Sequence, residues 1–112
     1  MAIEIRSLEG DLVVIRLSGR LDLAWVEAND VQFSAVASHH RKVVVDLADV
    51  SYLASLGIRT LVLSAKAARS NGGEFLLANP QPMVQAVLAE TGMTVLLPVA
   101  PSVDDAVARL QA

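Results

Sequence analysis

The stretch Lys42–Gly73, KVVVDLADVSYLASLGIRTLVLSAKAARSNGG, decides the fold. Val43, Val44, Val45 and Leu47 are a β-branched and aliphatic run of the kind that fills a strand buried on both faces. Asp46 and Asp49 bring polarity to its carboxyl end, where open α/β sheets keep their sites. Beyond a loop, Ile58, Leu61, Val62, Ala65 and Ala68 recur at helical spacing and make one apolar stripe. Burying its larger members contributes about 1.5–3 kcal/mol each. Arg59, Lys66 and Arg69 point elsewhere, and the last two complement the dipole at the helix end. Asn71-Gly72-Gly73 supplies the left-handed stop.

The start of that helix is the informative part. Ser55 is a natural N-cap, because its hydroxyl can accept a bond from an early orphan amide. Gly57 lowers helix propensity, so its use is steric: clearance for a neighbouring strand or for a partner. A strand, a loop, small residues and an exposed helix N-terminus together form a platform for an anion or a protein.

Outward from this unit, Ile3 and Ile5 alternate with Glu4 and Arg6 as in a half-buried strand. Glu9-Gly10-Asp11 turns the chain into a second strand, Leu12 to Leu17, making an antiparallel hairpin. Ser18-Gly19-Arg20 breaks that strand, and Asp22 caps a helix running toward His39. Trp25 packs on the sheet. His39 and His40 complement the dipole at the helix end rather than bind metal. After the glycine stop, Glu74 to Ala78 is a strand, and Pro82 suits the first turn of a helix that Thr91-Gly92 ends. Thr94 to Leu97 reads as a short strand stopped by Pro98. Ser102 and Asp105 form a capping box for a last helix, with Val103, Ala106, Val107 and Leu110 on its inner face. The order is β-β-α-β-α-β-α-β-α, and right-handed crossovers make the later strands parallel.

Composition bounds the rest. A chain of 112 residues suits one compact domain, and an apolar fraction of 54% fills its core. The net charge of −3 without a basic cluster argues against nucleic acid. With no cysteine there is no disulfide frame, thiol catalysis or cysteine-based zinc site. No apolar run is long enough to span a membrane and no signal-peptide core opens the chain, so a cytoplasmic protein is expected. Asp46 and Asp49 read as solvated strand-end acids, since no further ligands cluster with them to hold a metal.

With these elements placed, the sequence resembles the STAS domain family, whose bacterial members include anti-sigma factor antagonists. The resemblance rests on Gly19-Arg20-Leu21-Asp22, on Val43 to Leu47, and on Ser51-Tyr52-Leu53-Ala54-Ser55-Leu56-Gly57-Ile58. Gly72-Gly73-Glu74, Asn79 to Pro82, Val87-Leu88 and Thr91-Gly92 complete it across nearly the whole chain. It implies a single STAS-like α/β domain over residues 1–112, with a mixed sheet opened by an antiparallel hairpin and about four helices packed on it.

The resemblance also implies a non-enzymatic switch without cofactor. Such a protein binds an anti-sigma factor, often a serine kinase, and so releases a sigma factor. The partner surface that carries over is Asp49, Ser51, Ala54, Ser55, Leu56, Gly57 and Arg59. In the family the kinase phosphorylates the residue just before the glycine, in the motif Asp-Ser-Ser-Gly or Asp-Ser-Thr-Gly. Here Ala54 replaces the Asp and Leu56 replaces the acceptor, leaving Ser55, one residue early, as the candidate phosphosite. Self-association into a homo-oligomer is a further expectation. Two other readings exist: a STAS subunit docking on a lipid or anion transporter, and a phospho-receiver. A receiver needs an acidic pair after its first strand, and here that region is a hairpin turn with Glu9 and Asp11. No Ser–His–Asp set or phosphate-cradling loop supports catalysis.

Overall fold

The computed structural model describes residues 2–112. Its elements are β1 (Ile3–Leu8), β2 (Leu12–Leu21), α1 (Leu23–Ser38), β3 (Lys42–Leu53), α2 (Ser55–Ser70), β4 (Glu74–Ala78), α3 (Pro82–Glu90), β5 (Val99–Ala100) and α4 (Val103–Gln111). The order matches the sequence reading. The sheet runs β1-β2-β3-β4-β5, with β1 antiparallel to β2 and every other pair parallel. The valine run therefore lies on the middle strand, and Val43, Val44 and Val45 are fully buried.

Alternation along β2 and β3 divides the core by face. Val13, Ile15, Leu17, Val43, Val45 and Leu47 point into a large cluster with Phe33 of α1, Leu61 and Ala65 of α2, and Val84 and Leu88 of α3. Leu12, Val14 and Val44 point the other way, onto Ala106 and Leu110 of α4. Trp25 meets Phe33 edge-on within the larger cluster, with ring centroids 6.5 Å apart. Glu9-Gly10-Asp11 turns the hairpin as expected, with Gly10 and Asp11 both in the left-handed region.

Several expected boundaries move. Ser18-Gly19-Arg20 does not break β2, which continues to Leu21 beside an equally prolonged β3. Gly19, at φ +100°, and two register shifts absorb the mismatch, with the extra residues on β3. Ile5 is 46% exposed, because β1 is the edge strand, and it is Ile3 that reaches the larger core cluster.

Thr94 to Leu97 is not a strand. It is a set of tight turns in which Leu97 donates its N–H to the Met93 carbonyl at 2.7 Å and drops its side chain into the core. The last strand starts after Pro98 instead of stopping there. Proline has no N–H to give a ladder, but its carbonyl accepts from Leu77 N–H at 2.9 Å at the head of the edge strand. The stop after α2 lies where the sequence places it, with Gly72 as its left-handed residue at φ +77°.

Candidate functional site

The prolongation of β2 and β3 builds the site. The expected loop between Leu47 and Ser55 is strand up to Leu53, and only Ala54 separates β3 from α2. Ala54 donates its N–H to the Leu21 carbonyl at 3.0 Å, which ties the junction to the end of β2. Three residues later, at Gly57, the helix passes the same carbonyl. A Cβ built on Gly57 would stand 2.5 Å from Leu21 O and 2.9 Å from Leu21 Cβ. Gly57 is buried, so its clearance serves the neighbouring strand.

Ser55 is not the N-cap. Ala54 holds that position with extended backbone, and no side chain caps the helix. Ser55 is the first helical residue and its side chain is exposed. Without a capping serine, the early amides of α2 and its dipole face outward at an apolar edge made by Leu56, which is 39% exposed. Arg59 follows one turn on, also exposed.

On β3, Asp49 and Ser51 are exposed at the bulged end of the strand. Asp49 is ion-paired: its Oδ2 lies 2.9 Å from Arg16 Nε. Asp46, largely buried, is 3.9 Å from the same nitrogen and accepts from the Ala48 N–H at 3.0 Å. The close approach of Arg16 to Asp49, with the charges of Asp49 and Asp46, raises the Arg16 guanidinium above the ordinary arginine value. Arg16 was not legible as their partner, because the pairing needs the parallel register of β2 on β3.

A second group escaped the sequence for the same reason. Arg20 and Tyr52 are register partners, and the guanidinium carbon lies 4.3 Å from the Tyr52 ring centroid. Arg20 Nε is also 3.7 Å from Asp22 Oδ2, while Asp22 Oδ1 accepts from Trp25 N–H at 3.1 Å as the expected cap of α1. Tyr52 is 38% exposed and stands two residues before Ala54. Below the junction, Gln81 donates Nε2–H to the Ala48 carbonyl at 2.9 Å and fixes the bulged strand to the entry of α3.

The structure thus gathers Ala54, Ser55, Leu56 and Gly57 at one helix start, with Arg59 one turn on and Asp49 and Ser51 on the strand that leads in. Asp49, Ser51, Ser55, Leu56 and Arg59 are exposed there. Among the described residues no group of three or more His, Asp or Glu side chains could hold a metal. His39 and His40 each place Nδ1 on a carbonyl of the last turns of α1, at 2.6 and 3.0 Å.

Comparison with known proteins agrees with this architecture. BtrV of Bordetella bronchiseptica, a proposed anti-sigma factor antagonist, is 32% identical over 109 residues, covering 96% of this chain and 93% of that protein. The crystal structure of a proposed anti-sigma factor antagonist from Thermotoga maritima superposes with a TM-score of 0.90 at 19% identity, covering 98% of this chain and 95% of that one. The unphosphorylated anti-sigma factor antagonist SpoIIAA superposes with a TM-score of 0.79 at 23% identity, covering 98% and 96%. At those identities the two structures speak for the fold alone. The STAS domain model matches residues 2–106, and with the β-β-α-β-α-β-α-β-α order and the β3–α2 junction in place, this chain belongs to the STAS domain family.

Proposed function

We propose that this protein is a non-enzymatic regulator that binds an anti-sigma factor and so frees a sigma factor. The observation that carries the reading is similarity to BtrV along nearly the full length of both chains. The docking surface is the β3–α2 junction: Asp49, Ser51, Ala54, Ser55, Leu56 and Arg59, with Gly57 seating the helix beneath them. Leu56 and Tyr52 supply apolar area there, and the uncapped amides supply polar contacts. The reaction is binding alone, it needs no cofactor, and its setting is the cytoplasm. Among the described residues no helix is long and apolar enough to cross a membrane. Nucleic acid is not the partner, because the net charge is −3.

The partner is of the serine-kinase type, and binding is constitutive toward it. A phosphate at a helix start is tolerated by the helix, and acts by forcing the partner to meet about two negative charges. Leu56 has no hydroxyl to carry that phosphate. Ser55 remains the candidate phosphosite, one residue out of register. A transporter-docking subunit would share this fold, and the likeness to BtrV favours the regulatory role.

The test is affinity capture from a lysate of the source cells on wild-type protein, Leu56→Asp and Val95→Asp. Val95 is 83% exposed on the far turn after α3 and serves as the control. An anti-sigma factor retained by wild type and Val95→Asp but lost by Leu56→Asp is expected. A transport ATPase in its place would overturn the reading.

A further inference from the structure

Helices α1 and α2 leave an outer face that nothing in the fold uses. Both helices join parallel strands from the same side of the sheet, so they lie side by side and point the same way. Helix α1 is apolar around most of its circumference. Trp25, Phe33 and Ala37 are buried, and Ala24, Ala28, Val31 and Ala35 form a second stripe facing solvent, with Val31 84% exposed. On α2, Leu63 is 56% exposed beside Ala67, and a shallow groove lined by Ser34, Ala35, Ser38, Leu63 and Ala67 runs between the helices.

The charges on this face are segregated by helix. Helix α1 carries Glu27 and Asp30 and no base, whereas α2 carries Arg59, Lys66 and Arg69 and no acid. They do not neutralise one another within the chain. Among the described residues the ion pairs join Arg16 to Asp46 and Asp49, and Arg20 to Asp22. An acidic helix beside a basic helix, with an apolar seam between them, is self-complementary under a two-fold rotation.

We infer that the α1–α2 face is a dimerisation surface whose occupant is a second copy of this chain, with each α1 laid on the other copy's α2. The two-fold axis runs along the helices. An axis across them would set acid on acid and base on base, at a cost to association. The sequence spacing fits the same axis, since such an axis preserves height along the helix. Glu27 and Arg59 are each the fifth residue of their helices, Val31 and Leu63 each the ninth, and Ala35 and Ala67 each the thirteenth. Within a turn, Glu27 meets the second copy's Arg59 and Val31 meets its Leu63.

Two helices about 24 Å long and about 8–10 Å apart offer a plane at the small end of specific interfaces, so the dimer is weak and reversible. The surface shares Arg59 with the proposed docking site and otherwise lies along the outer faces of α1 and α2, and its test uses this chain alone.

Sedimentation equilibrium of wild type, Glu27→Lys/Asp30→Lys, Arg59→Glu/Lys66→Glu and Val31→Asp decides the matter. All five positions lie on helix surfaces, and circular dichroism checks that each variant is folded. Wild type should pass from monomer to dimer with concentration, and added salt should weaken the dimer. Each double charge reversal and Val31→Asp should raise the dissociation constant at least about tenfold. An equimolar mixture of the two double variants should recover a dimer, because it again sets acid against base on both sides. A wild-type protein that stays monomeric to millimolar concentration would overturn the inference. So would a dimer indifferent to the reversals, or a mixture that stays monomeric.

Discussion

Gly57 lies directly against Leu21: a Cβ at position 57 would sit 2.5 Å from the Leu21 carbonyl oxygen, the same oxygen that accepts the Ala54 N–H. One carbonyl thus sets both the entry of α2 and how closely its first turn approaches the sheet. The oxygen belongs to backbone held in a strand, so it cannot move aside as a flexible side chain would.

Replacing Gly57 by alanine should therefore destabilise the fold. In an open helix the change would gain about 0.5–1 kcal/mol from propensity. Here the overlap reverses the sign, and a net loss of about 1–3 kcal/mol is expected. Urea unfolding followed by circular dichroism reads it directly. An unchanged or higher midpoint would mean that α2 lifts off Leu21 at little cost. Larger residues at 57 would perturb the whole junction, so they are poor probes of docking.

Arg16 holds two carboxylates, Asp46 and Asp49, and Asp46 is the more buried of the pair. Arg16→Gln should lower the unfolding midpoint more than Asp49→Asn does, because it leaves a largely buried acid beside a second one without a cation. The guanidinium value is raised in the folded state, so its share of stability is present below the ordinary arginine value and lost only in strong alkali. Between pH 6 and 9, as a rough working range, the difference between wild type and Arg16→Gln should stay flat on the cation's account. A steep slope there would point to another group.

Asp22 serves two partners, the Trp25 N–H and the Arg20 guanidinium. Asp22→Ala should cost about 0.5–2 kcal/mol through the lost cap. It should also loosen Arg20 over Tyr52, which tyrosine fluorescence in a Trp25→Phe background would register. Asp22→Asn keeps the cap and should recover most of the stability. Equal losses in both variants would assign the effect to charge rather than capping.

Phosphorylation is tested by intact mass after incubation with the captured kinase and ATP. Wild type is expected to stay unmodified and Leu56→Ser to gain one phosphate. The exposed Ser55 hydroxyl is not a cap, so capping does not protect it, and the expectation rests on its displaced register alone. A single phosphate on wild-type Ser55 would make this protein a conventional switch with a shifted acceptor.

The sequence by itself determined the element order, the central position of the Val43–Val45 strand, the hairpin turn at Gly10 and the capping roles of Asp22 and Ser102. Each follows from local rules: side-chain period, turn chemistry, or an oxygen near orphan amides. Tertiary contact decided the rest. Strands β2 and β3 run past their apparent stops because parallel pairing recruits residues whose own propensity is weak, with bulges taking up the mismatch. That extension turned an expected loop into strand, moved the N-cap from Ser55 to Ala54, and committed Gly57 to Leu21. It also placed Arg16 on Asp49 and Arg20 on Tyr52, pairs far apart in the chain that only register brings together. The last strand likewise follows Pro98 rather than preceding it, because β4 supplies the N–H that the proline carbonyl accepts.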